Sequence, residues 1–104
     1  MRVFIVWEPI LPTDWQRPTS LALSRVSDAR AVQFWDKYHL VADALRKHVP
    51  ENQPDCCVRD GHIWDAVALY PKQTAFNSTS PTFIGGPVVQ AEPKMRPKLQ
   101  DALR

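Results

Sequence analysis

The chain opens on an apolar run that tightly limits what it can fold into. In residues 2–15, RVFIVWEPILPTDW, positions 3–7 carry no polar side chain at all. A strand with one wet face would alternate apolar with polar, so this run predicts a strand covered on both faces, an interior ribbon of a layered sheet. An interior strand needs neighbours, and the rest of the chain must supply them. At 104 residues roughly two-thirds of the unfolded surface can be buried. One domain spanning residues 1–104 is the expectation.

Composition narrows the class. With 44% hydrophobic and 23% charged residues, neither disorder nor a membrane origin is favoured. The formal charge of +2 comes from dispersed Lys and Arg, which argues against nucleic acid as a partner. The opening run is too short to cross a bilayer, and no charged region, apolar core and cleavage site follow in the order of a secretory signal. A cytoplasmic protein without a membrane partner is expected. Cys56 and Cys57 are the only cysteines, so reduced thiols rather than a disulfide framework are the default.

Along the chain, Pro9, Pro12 and Pro18 predict an irregular connection over 8–20. Ser27 and Asp28 look like a helix start, with Ala31, Phe34, Trp35 and Tyr38 at helical spacing. Asp36 caps a second helix carrying Leu40, Val41, Ala44, Leu45 and Val49, which Pro50 ends; one kinked helix is the alternative. Residues 50–62 read as a loop, 63–70 (IWDAVALY) as a strand, and 82–89 (TFIGGPVV) as a strand bent at Gly85, Gly86 and Pro87. A short helix over 92–104 must hold Pro97 in its first turn. The order is β-α-β-β-α, an α/β fold with α+β as the alternative.

That order, together with VFIVWEPILPTDW, RVSDARAVQFWDK, IWDAVALYP and FIGGPVV, resembles a group of uncharacterised bacterial proteins with thioredoxin-like folds. The resemblance implies a mixed sheet with helices packed on it, lacking the first β-α unit in which active members hold their redox cysteines. No catalytic residue carries over. It also suggests a gene fragment or an integron-cassette remnant. Because the missing strand would lie mid-sheet, residues 2–7 must pair differently or find a second chain, so a homo-oligomer, a dimer, is expected.

Several groups qualify as chemical candidates. Glu8, Asp14 and Trp15 lie beyond the carboxyl end of the first strand, where open α/β sheets bind ligands. The simpler reading has both carboxylates bonding the Pro-rich loop and Trp15 packing on the core. Trp35 and Trp64, with Trp7 and Trp15, line an apolar pocket or fill a small core. Asp65, inside an apolar strand, needs a hydrogen-bond partner or an Arg. Cys56, Cys57 and His62 (with His48 nearby) form a possible thiol or metal set without the spacing of a known zinc pattern. His39 and His48 are read as surface or boundary residues. The functional expectation is a non-enzymatic binding or interaction module with no cofactor, meeting a small molecule or a protein; the alternative is a thiol- or metal-handling protein built on Cys56 and Cys57.

Overall fold

A computed structural model of the chain describes residues 1–9, 16–49, 57–59, 61–76 and 79–104. Its elements run β1 (Val3–Trp7), α1 (Ser20–Leu23), β2 (Ala31–Trp35), α2 (Leu40–Arg46), β3 (Val58–Arg59), β4 (His62–Ile63), β5 (Val67–Leu69), β6 (Phe83–Gly85) and α3 (Val88–Ala102). The fold is mixed α/β, with three two-stranded sheets among the described residues. The chain divides into two compact units, Met1–Ala42 and Asp43–Arg104.

In the first unit β1 pairs in parallel with β2, Val3 opposite Ala31 through Trp7 opposite Trp35. Residues opposite one another share a face. Val3, Ile5, Trp7, Ala31, Gln33 and Trp35 therefore point one way, and all but Val3 are half-buried. On this face the Trp7 indole N–H donates to Gln33 Oε1 (2.8 Å) and Gln33 Nε2 donates to the Leu23 carbonyl (2.8 Å). One amide thus ties both strands to α1.

Phe4, Val6, Val32 and Phe34 point the other way, and there the expectation of cover on both faces fails: Phe4 is 60% exposed, Phe34 49% and Val32 44%. The Phe4 and Phe34 rings tilt against each other with centroids 6.0 Å apart.

The helix expected from Ser27 is corrected to a turn and a strand. Asp28 accepts from the Arg30 backbone N–H (2.8 Å) and from its guanidinium, which turns the chain into β2. The burial of residues 31–35 alternates in, out, in, out, in, a period of two that Val, Phe and Trp favour in a strand. The helix that does form between the parallel strands is α1, capped by Thr19, whose hydroxyl accepts from the Ala22 N–H (3.2 Å). Asp36 behaves as its position predicts: nearly buried, it accepts from the N–H groups of Leu40, Val41 and Ala42 at 2.8, 2.9 and 3.3 Å.

In the second unit β3 and β4 form a short antiparallel ladder within the stretch read as a loop. The strand expected over 63–70 is broken at Asp65, whose φ of 48° no continuous strand accommodates. β5 resumes at Val67 and pairs antiparallel with β6. The 82–89 strand ends at Gly85, followed by a cis Gly86–Pro87 peptide, so Val88 and Val89 enter α3 instead. The last helix thus begins well before 92 and holds Pro93 and Pro97 internally, not in its first turn. α3 packs across β5 and β6. Gly85 permits that approach, since a Cβ there would lie 3.3 Å from the Ala91 Cβ. Ile63, Cys57 and Ala91 are the buried apolar residues described in this unit, and Ala42 in the first. Among the described residues no helix is long and apolar enough to cross a membrane.

Candidate functional site

Two places gather polar chemistry, and a third is an open apolar face. At the carboxyl ends of β1 and β2, Glu8 follows the last residue of one strand, while Asp36 to His39 follow the other. Glu8 Oε2 lies 3.1 Å from His39 Nδ1, with side chains only 11% and 14% exposed. His39 reaches this position with a φ of 58°, a left-handed conformation that a side chain disfavours. Glu8 is therefore part of a carboxylate–imidazole pair that joins the end of β1 to the connection between β2 and α2. His39, read from sequence as a surface or boundary residue, is its unexpected member. The helical reading of this part of the chain concealed it.

The remaining residues singled out from sequence are placed as follows. Trp35 sits half-buried on the inner face of the β1–β2 sheet with Trp7. Trp64 is half-buried in the second unit, its backbone N–H donating to the Cys57 carbonyl (2.8 Å). Asp65 is exposed; its Oδ1 accepts from the Val88 N–H at 3.2 Å, serving the start of α3, where Pro87 provides no side-chain cap. Asp14, Trp15 and Cys56 lie outside the described residues. Cys57 is buried against the turn at Gly86, where an added Cβ would stand 2.5 Å from its Sγ and 2.6 Å from the Asp65 carbonyl oxygen.

His62 Nδ1 stands 2.8 Å from Asp43 Oδ1, a more open pair with the carboxylate about half exposed. Glu8, Asp36 and Trp35 thus belong to one end of the β1–β2 sheet, whereas Trp64, Asp65, Cys57 and His62 belong to the second unit. Among the described residues no three His, Cys, Asp or Glu side chains converge as a metal site would require. No family model, curated protein or solved structure matches the chain.

The third feature is the outer face of the β1–β2 sheet. Its four side chains, Phe4, Val6, Val32 and Phe34, are all apolar, and three of them are more than two-fifths exposed. The sequence signal for it was the unbroken run itself: a strand apolar on both sides has one face too many for a unit that covers a single side.

Proposed function

We propose that the chain is a non-enzymatic interaction module that self-associates, two copies stacking the outer faces of their β1–β2 sheets about a twofold axis. The observation that carries this reading is the exposure of Phe4, Val32 and Phe34 on one apolar sheet face. Sheets pack face to face through interdigitated apolar side chains about 10 Å apart, and a twofold contact places the same patch on both sides. This face has no charged residue with which to select a foreign surface, whereas a second copy matches its chemistry and size.

The exposed part of the patch amounts to on the order of 300 Å² per copy, below the roughly 800 Å² per partner of a standard stable interface. A contact this small makes the proposed dimer a weak, reversible one. Within the first unit the parallel β1–β2 pair with its intervening helix, and within the second the antiparallel β5–β6 pair with α3 packed on it, support a thioredoxin-like arrangement lacking its first β-α unit. In this reading the protein works in the cytoplasm.

Sedimentation velocity across about 10–500 μM tests the proposal. The wild type should shift from monomer to dimer, and Phe34→Lys should remain monomeric with an unchanged circular dichroism spectrum. Cys57→Ser should dimerise like the wild type, which separates this reading from one built on the thiol. A wild type that stays monomeric throughout, or a Phe34→Lys variant that still dimerises, overturns it.

A further inference from the structure

We propose that the free edge of β1 is a second contact between copies of this chain, joining two stacked dimers edge to edge; this rests on the face-to-face dimer proposed above. The hydrogen bonds of the parallel pair show which backbone groups are spare. The Val3 N–H donates to the Arg30 carbonyl (3.0 Å), and the Trp7 carbonyl accepts from the Asp36 N–H (2.7 Å), so the odd-numbered residues of β1 carry the ladder to β2. The N–H and C=O groups of Phe4 and Val6 point the opposite way, and no group among the described residues hydrogen-bonds to them.

Folded proteins blunt such an edge with a charge, a proline or a bulge. Residues 3–7 hold neither charge nor proline, and their register to β2 is regular. The edge of β2 is different, because the Ala31 N–H is already spent on the Asp28 carbonyl (3.0 Å).

What fits the β1 edge is the same edge reversed. In an antiparallel pair about a twofold axis at Ile5, Phe4 faces the partner's Val6 and Val6 faces the partner's Phe4, each pair exchanging both backbone hydrogen bonds. The same register sets Arg2 opposite the partner's Glu8 at either end. Arg2 has no ion-pair partner among the described residues. Glu8 already holds His39, so these ends contribute opposed sign rather than a new bond.

A single ladder this short does not offset the entropy lost when two monomers associate. With the stacking axis running across the strands, however, both β1 edges of a stacked dimer lie on one side. Two stacked dimers then form two ladders in one encounter. Residues opposite one another in a ladder share a face, so the apolar outer faces continue from copy to copy and the product is a tetramer of two stacked four-stranded sheets.

Sedimentation of the full chain carried to about 2 mM, with amide hydrogen exchange at the same concentrations, tests the contact. The wild type should pass from dimer to tetramer, and Phe34→Lys should stay monomeric. Val6→Pro keeps an apolar ring on the stacking face and removes a donor that the β1–β2 ladder does not use; it should stop at the dimer. In the wild-type tetramer the Phe4 and Val6 amides should exchange about tenfold more slowly than in the dimer, relative to those of Ile5 and Trp7. A wild type that stops at the dimer, a Val6→Pro that reaches the tetramer, growth beyond the tetramer, or Phe4 and Val6 amides without added protection overturns the edge contact and leaves the stacked dimer standing. A chain that is monomeric throughout removes both.

Discussion

Asp36 shows how much one side chain can organise. Its carboxylate accepts three consecutive backbone N–H groups at the start of α2 from a site that is 8% exposed. These amides have no partner inside the helix, and an anion there also opposes the positive end of the helix dipole. Asp36→Ala should therefore lose about 1–3 kcal/mol in urea denaturation, and Asp36→Asn less. The sequence made this residue legible, because a carboxylate ahead of an apolar helical stripe has few other uses. His39 was not legible. Its left-handed φ and its contact with Glu8, 31 positions away, depend on where two strand ends meet. Replacing His39 by Gly or by Ala removes the same imidazole, yet Gly adopts that backbone without strain. His39→Gly should therefore be about 1 kcal/mol more stable than His39→Ala by the same measurement.

At the scale of elements, α3 carries two internal prolines and lacks a side-chain cap from its own Pro87. It is held by packing on β5 and β6, by Asp65 at its start, and by the Glu92–Arg96 pair, one turn apart at 2.6 Å. The Arg96 guanidinium lowers the Glu92 pKa. Because the folded value is depressed, the pair's contribution is present above the ordinary carboxylate pKa of about 4.3 and is lost as pH falls through the lower folded value. An NMR titration of the Glu92 carboxyl should show a midpoint below that of a model peptide, returning to it in Arg96→Ala.

The opening strand, α2 and the bend at Gly85 to Pro87 could be read from sequence because each has a local cause: an apolar run, a cap and a cluster of turn residues. The segment 27–38 misled because its Ala, Phe, Trp and Tyr positions satisfy a period of 3.6 while residues 31–35 also satisfy a period of two. The parallel partner β1 decided between them. Similarly, the apolar stretch 63–70 gave no sign of the left-handed backbone at Asp65 that splits it.

For the molecule as a whole, the stacked-sheet dimer we propose would tie stability to concentration. A reversible partner that binds only the folded chain raises the melting temperature as protein is added, and that rise should be absent in Phe34→Lys. The turn at Gly86 adds something of a different kind. The Cys57 sulfur is buried and packs so closely on Gly86 that not even a methyl group would fit there, so an alkylating reagent should reach it faster whenever the packing around it loosens. The rate at which Cys57 is labelled is therefore a clock, built into the native chain, for the breathing of its second half.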